Sequence, residues 1–171
     1  MAHLSLGLAC LFQGERKDAI VSARRAIELD PSFAGAYRLL GWLLADSGKP
    51  DEAIAVIEKG MRLSPRDPWL FQYLAAKGWA HFVARRYEAA VECLKQSLEV
   101  RRPPTVANWF VLAASLAHLD RHEEAAATLR KVLTRYERKL TLADIRRTYR
   151  FYDPDLLERF MDGLRKAGLP E

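Results

Sequence analysis

The chain has 171 residues, of which 50% are hydrophobic and 29% are charged. This composition is typical of one folded domain or a short repeat array and is too apolar for an intrinsically disordered chain. The net charge is a mild +5, and the two cysteines provide neither a disulfide framework nor the spacing of a metal site.

The N-terminal apolar run, residues 4–12, has some features of a signal sequence. It lacks a preceding Lys/Arg segment, and Gly7 stands where a lipoprotein signal usually has leucine. No stretch reaches the roughly 18–20 apolar residues that a membrane helix needs. We therefore expect no membrane association and a cytoplasmic location, with Cys10 and Cys93 as buried reduced thiols.

Small residues then recur along the chain at two sets of positions that keep the same spacing. Successive members of each set are 34, 37 and 35 residues apart. The first set is Gly7, Gly41, Gly78 and Ala113, and the second is Ala19, Ala53, Ala90 and Ala125. Two independent markers that move in step indicate a repeat of two amphipathic helices, in which small side chains let the pair approach closely.

These positions resemble the tetratricopeptide repeat (TPR) pattern. The second copy carries it most fully, with Tyr37, Leu40, Gly41, Leu44, Ala53, Ile57 and Pro65. The third departs most, because Lys77 and His81 replace apolar residues. The resemblance implies an all-α fold, a right-handed superhelix of about four helix pairs. The repeats fall at about 1–33, 34–70, 71–105 and 106–139. Extra residues near Arg66 are expected to lengthen the first helix of the third repeat.

Residues 140–171 are expected to form two C-terminal capping helices. Thr141 and Asp144 make a capping-box-like start to the first helix, and Asp153-Pro154 begins the second, which ends at Gly168. The second helix has one apolar stripe, so we expect it to cover the last repeat. The stripe consists of Leu156, Leu157, Phe160, Met161 and Leu164.

The terminal segment, residues 152–170, carries a second resemblance, to the extreme C-terminus of bacterial class III adenylate/guanylate cyclases and related regulators with TPR tails. It implies that the chain is the sensory or docking portion of such a protein. No segment here can form the catalytic domain itself.

The TPR resemblance also implies where a partner binds, because the first helices of successive repeats line a concave groove. The candidate groove residues are Arg38, Trp42, Gln72, Trp79, Phe82, Phe110 and His118. Only Arg38 matches the Lys, Asn and Arg set of TPR domains that grip a terminal carboxylate, so that activity is not expected. An apolar, aromatic groove needs a cover. We consider an amphipathic helix of a partner, the chain's own C-terminal helix, or a second copy in a homo-oligomer.

The sequence contains no motif for catalysis, and no cofactor or metal is expected. His118 and His122 have the spacing of helical zinc ligands, but residues 119–121 are expected to form a turn between them. The basic run at residues 130–150 is interpreted as a solvated helix face, so nucleic acid is not an expected partner. The predicted function is a non-catalytic protein–protein interaction scaffold. The alternative is the regulatory TPR region of a multidomain bacterial nucleotide cyclase or transcriptional regulator.

Overall fold

The computed structural model describes residues 16–100, 106–134, 140–150 and 152–171. Within these residues every regular element is an α-helix. In chain order they are α1 (Arg16–Leu29), α2 (Ala34–Asp46), α3 (Pro50–Leu63), α4 (Leu70–Val83), α5 (Tyr87–Val100), α6 (Val106–His118), α7 (His122–Leu133), α8 (Leu142–Thr148) and α9 (Pro154–Lys166). The first helix of the predicted first repeat, with Gly7 and Cys10, lies outside the described residues.

Three complete helix pairs stack side by side: α2 with α3, α4 with α5, and α6 with α7. In the first two of these pairs, the predicted glycines lie where the two helices approach closely. A Cβ built on Gly78 would lie 2.7 Å from Cγ of Leu94 and 3.4 Å from the carbonyl oxygen of Ala90. A Cβ on Gly41 would overlap the side chain of Ile57. The prediction of an all-helical fold of stacked helix pairs is therefore confirmed, and these contacts explain the repeat pattern.

The turns within the three pairs share one backbone feature. Gly48, Arg85 and Asp120 occupy corresponding positions and have positive φ angles of 72°, 59° and 57°. A left-handed residue ends the first helix of each pair and turns the chain back within a few residues. Glycine adopts this conformation without strain, whereas Arg85 adopts it at an energetic cost.

The extra residues near Arg66 lie mainly in a turn, contrary to the sequence prediction, and α4 has 14 residues against 13 in α2 and in α6. Residues 64–69 form turns, and α4 begins only at Leu70. Asp67 accepts a 2.8 Å hydrogen bond from the backbone N–H of Trp69 within this turn. The two Xaa-Pro pairs, Ser64-Pro65 and Asp67-Pro68, explain the difference, since proline disfavours helical backbone at the preceding residue.

Neighbouring repeats are also joined by buried polar contacts. The Tyr73 hydroxyl donates a 2.6 Å hydrogen bond to the carbonyl oxygen of Ala34. Ser97 donates at 2.6 Å to the carbonyl of Phe71 and accepts a 3.0 Å bond from the amide of Asn108. The Tyr73 and Asn108 bonds fix the register of one pair against the next, and the bond from Ser97 to Phe71 does so within a pair, because an unpaired buried polar group is costly. Cys93 is a buried free thiol, as expected.

The C-terminal residues form the two predicted helices, α8 and α9. Thr141 and Asp144 make the reciprocal bonds of a capping box at α8, and the Asp153 carboxylate accepts from the N–H groups of Asp155 and Leu156 at α9. The backbone N–H of Leu142 donates a 2.7 Å bond to the carbonyl of Pro170, which joins the two ends of the segment. No helix in the described part of the chain is both long and apolar enough to cross a membrane.

Candidate protein-binding face

The side of the fold that we expect to be concave is formed by α2, α4 and α6, the first helices of three successive repeats, and we call it the concave face. The structure brings the predicted groove residues to these three helices. Trp79, Phe82 and Phe110 are buried, whereas Arg38, Trp42, Gln72 and His118 are half-buried. Trp79 and Phe82 are covered in part by Tyr152 and Phe160 of the chain's own C-terminal segment, the second of the three occupants considered from the sequence. In this structure the face is therefore not a bare aromatic patch.

Phe160 of α9 fills an aromatic slot on this face. Its ring centroid lies 6.0 Å from that of Trp79 and 5.8 Å from that of Phe82, with both pairs close to perpendicular. The ring of Tyr149, at the end of α8, closes the slot at 5.5 Å. Phe160 is fully buried, so these edge-to-face contacts anchor the middle of α9.

Gly163 allows α9 to approach α6 at backbone distance. A Cβ built on Gly163 would lie 2.8 Å from Cβ of Ala114 and 2.9 Å from its backbone Cα. Real Cβ atoms do not tolerate such distances from backbone atoms, so a larger residue would force the helices apart. Glycine here is a steric requirement of this docking position.

Two polar contacts fix the axial position of α9. The Arg159 guanidinium donates a 3.1 Å hydrogen bond to the carbonyl of Val83, the last residue of α4, and lies over the Phe82 ring. Nε2 of His118 is 2.9 Å from the carbonyl oxygen of Arg159. A carbonyl oxygen only accepts, so the imidazole carries its proton on Nε2. Burial lowers the pKa of His118, which favours the neutral ring.

The buried carboxylate of Asp46 lies beneath the C-terminal segment, on the side of Tyr152. The indole N–H of Trp79 donates to Oδ1 of Asp46, and Tyr152 stacks on the Trp79 ring at 5.0 Å. Burial raises the pKa of Asp46 to about 6, although the Trp79 hydrogen bond and the positive charge of Arg16 act to lower it. Burial and the nearby Asp46 also raise the pKa of Tyr152. Ionised Asp46 is thus held in a poorly hydrated place.

The other end of the concave face stays accessible. Arg38 donates a hydrogen bond to Gln72, and its guanidinium lies 5.5 Å from the ring centroid of Trp69 and 5.8 Å from that of Tyr73. Trp69 is 39% exposed. Partly exposed Trp42 borders a cavity of about 40 Å³, which Tyr152 and Phe160 close on the side of the C-terminal segment. We call this part the open end of the face: Arg38, Trp42, Trp69 and Gln72.

Sequence reasoning missed Asp46, Tyr149, Tyr152 and Arg159 as members of this face. A usable signal was present in α9, where Gly163 interrupts an apolar stripe at the position of closest helix approach. Asp46 had a weaker sequence signal: it directly follows the apolar residues Leu43, Leu44 and Ala45 and ends α2. Tyr149 and Tyr152 lie at the α8–α9 connection, where no periodicity assigns a direction to a side chain.

The remaining candidates for chemistry are engaged in structural contacts. His118 ends α6 and contacts α9, whereas His122 begins α7 and is exposed near Asp120. No cluster of three His, Cys, Asp or Glu side chains that could hold a metal occurs among the residues described. In the basic run, Arg146 pairs with Glu158 and Arg147 with Asp144. Residues 135–139 of that run lie outside the described residues.

Solved structures with the same architecture include PilF of Pseudomonas aeruginosa, with a TM-score of 0.66 and 22% identity over 99% of this chain and 77% of that one. A thermophilic TPR protein of Thermus thermophilus gives 0.65 and 20% over 94% and 78%. MamA of Desulfovibrio magneticus RS-1 gives 0.62 and 16% over 98% and 95%. At these identities the likeness concerns the fold.

Sequence relatives agree with the fold. Small glutamine-rich tetratricopeptide repeat-containing protein 2 of Mycosarcoma maydis is 38% identical over 63 residues, which make up 37% of this chain and 18% of that protein. The aligned part is thus a small share of that relative's length. The Tetratricopeptide repeat family model matches residues 2–68 and 75–138, well over half of the chain. The chain belongs to the tetratricopeptide repeat family.

Proposed function

We propose that this protein is a non-catalytic cytoplasmic scaffold that binds a segment of a partner protein along its concave face. Membership of the TPR family supports a protein-interaction role. The observation that carries the proposal is the packing of α9, which lies against α4 and α6 through aromatic and close backbone contacts of the kind that a partner's amphipathic helix would make.

A partner first meets the open end of the face, which is not covered by α9. The Arg38 guanidinium there lies beside the partly exposed indole of Trp69, so a cation and a flat apolar surface adjoin each other. An acidic or main-chain acceptor group of the partner pairs with Arg38, while an apolar side chain covers the Trp42 and Trp69 rings.

The test uses peptides selected from a random phage-displayed library on the immobilised chain. Arg38→Glu reverses the charge at the open end, so we expect it to weaken binding of the selected peptides at least about tenfold, the effect of losing a charged hydrogen bond. Arg62→Glu is the matched control, since Arg62 is exposed on the outer helix α3. Equal affinity of both variants, with unchanged helical circular dichroism, would remove the concave face from the proposal.

A second proposal is that the chain is the regulatory TPR region of a bacterial nucleotide cyclase or transcriptional regulator. Its support is the resemblance of residues 152–170 to the C-terminus of such proteins. It requires a catalytic or DNA-binding domain encoded in frame with this chain. Reading the coding sequence around it tests the proposal, and a reading frame without such a domain rules it out.

A further inference from the structure

The position of α9 is not that of a simple end cap. A cap covers the exposed side of the last helix pair, but α9 lies along α6 and reaches back to α4 through Arg159 and Phe160. Its contacts are with the concave face, the surface to which the function above is assigned. The segment therefore occupies the place of a ligand.

We propose that α9 is an internal ligand of the concave face, and that it is replaced by a partner's amphipathic helix bearing a basic residue, an adjacent aromatic residue and, three positions later, glycine. This inference rests on the proposed function and specifies the partner's chemistry. The pattern is that of Arg159, Phe160 and Gly163 in α9 itself.

The aromatic residue is selected by the slot between Trp79, Phe82 and Tyr149. Three rings surround Phe160 with centroid separations of 5.5–6.0 Å, the range of favourable edge-to-face packing. An aliphatic side chain lacks the flat edge that these rings contact. The slot therefore favours phenylalanine or a similar ring on the incoming helix.

The glycine is selected by Ala114, whose Cα, Cβ and carbonyl oxygen all lie within 3.0 Å of where a Cβ on residue 163 would stand. Because two of these are backbone atoms, the neighbour cannot move aside as a flexible side chain would. A helix with a larger residue here is held away from α6 and loses the aromatic slot.

The basic residue is selected by the end of α4. The Arg159 guanidinium donates to the free carbonyl of Val83 and lies 5.7 Å from the Phe82 ring centroid. The other polar contact, from His118, reaches a main-chain carbonyl that any helix presents. It positions the helix along the groove without selecting its sequence.

Replacement of α9 by a partner helix is favoured by the buried negative charge of Asp46 beneath the C-terminal segment. Tyr152 and Trp79 keep the Asp46 carboxylate out of water, and departure of Tyr152 rehydrates it. The ion pair between Arg146 and Glu158, which links α8 to α9, is exposed and holds the segment weakly. Part of the cost of detaching α9 is thereby offset.

The experiment measures binding of a fluorescein-labelled synthetic peptide of residues 150–171 to the full chain by fluorescence anisotropy. Gly163→Leu in the chain expels its own α9, so we expect the chain to bind the peptide at least about tenfold more tightly than the wild type. Arg165→Leu, which adds the same residue on the exposed face of α9, should bind it like the wild type. A peptide carrying leucine in place of glycine should bind none of the chains.

Phe160→Ala in the chain is the second variant, because it vacates the slot without a clash and keeps the test valid if Gly163→Leu does not fold. The inference is overturned if folded variants bind the peptide no more tightly than the wild type. It is also overturned if the wild type is a dimer whose α9 helices are exchanged between copies, which makes a second copy the occupant. Either result leaves the effect of Arg38→Glu on library peptides intact, so the proposed function is tested separately.

Discussion

The indole N–H of Trp79 donates a 2.7 Å hydrogen bond to Oδ1 of Asp46, linking the middle of α4 to the last residue of α2. Asp46 is only 4% exposed. The Trp79 ring stacks on Tyr152 and contacts Phe160 edge to face, and both of these residues belong to the C-terminal segment. One buried carboxylate therefore lies at the junction of two repeats and the segment that covers them.

Asp46→Asn should stabilise the protein at pH 7. Asparagine keeps the oxygen that accepts from Trp79 but carries no charge to desolvate. Burial raises the pKa of Asp46 from 3.8 to about 6, so the folded state holds a proton that the unfolded state releases. Wild-type stability therefore falls as pH rises from about 4 to about 6, and the loss at pH 7 is up to about 3 kcal/mol.

Urea denaturation at pH 4.5 and pH 7.5 measures this effect. The free energy of unfolding of the wild type should fall between these two pH values. That of Asp46→Asn should not show this fall. Asp51→Asn, at an exposed carboxylate, should change stability by less than about 1 kcal/mol at either pH. Identical pH slopes for the wild type and Asp46→Asn would contradict the assignment.

Gly78→Ala should destabilise the protein by about 1–3 kcal/mol, although alanine is the better helix former. The added Cβ would lie 2.7 Å from Cγ of buried Leu94. Gly35→Ala is the same change near the start of α2, where the nearest atoms belong to the exposed Phe33 ring, which can swing aside. Thermal denaturation should therefore show a lower midpoint for Gly78→Ala alone, and a rise for both would argue against tight nesting.

Arg85→Gly should raise stability by about 1 kcal/mol. Arg85 has a φ of 59°, a left-handed conformation that glycine already supplies at Gly48 in the preceding repeat. Ala84→Gly is the control, since Ala84 has a φ of −76° and gains only backbone entropy in the unfolded state. Calorimetry should order the melting temperatures as Arg85→Gly, wild type, then Ala84→Gly. A melting temperature of Arg85→Gly below that of the wild type would be inconsistent with the turn geometry.

His81→Leu should stabilise the protein by about 1 kcal/mol at neutral pH, and by more in mild acid. Its Nδ1 is buried without a hydrogen-bond partner, and the corresponding residues in the two neighbouring repeats are Leu44 and Leu116.

The acid effect follows from the pKa of His81, which burial and the charges of Arg86 and Lys77 lower. The unfolded state therefore binds the proton more readily, and wild-type stability is lost as pH falls below the usual histidine pKa of 6.5. Guanidinium denaturation at pH 7.5 and 5.5 measures the difference. A gap between variant and wild type that does not widen at pH 5.5 would show that His81 is not desolvated.

The helix pairs could be predicted from the sequence because nesting imposes a steric rule at each copy. Gly41 and Gly78 lie so close to the second helix of their pair that an added Cβ would displace Ile57 or Leu94. The need for a small residue therefore recurs in the sequence at regular intervals. The extra residues near Arg66 were predicted to lengthen the first helix of the third repeat, but they lie in a turn that contains Pro65 and Pro68.

The sequence predicts that one side of α9 is buried, but it does not identify the surface against which α9 packs. Its apolar stripe indicates that one side is buried, but a stripe does not say which neighbour covers it. The choice between a partner, a second copy and the chain's own helix depends on contacts such as Phe160 with Phe82, which are 78 residues apart in the chain. Such long-range pairing leaves no local pattern.

The most direct test of the account is the nuclear Overhauser effect between the Ala114 methyl protons and the Gly163 α-protons. It is measured on a mixture of ¹³C-labelled and unlabelled full-length chain. We predict a strong cross-peak within one molecule, because α9 lies against α6 at backbone distance. Absence of the cross-peak, or its appearance only between labelled and unlabelled molecules, would contradict an internal ligand on the concave face.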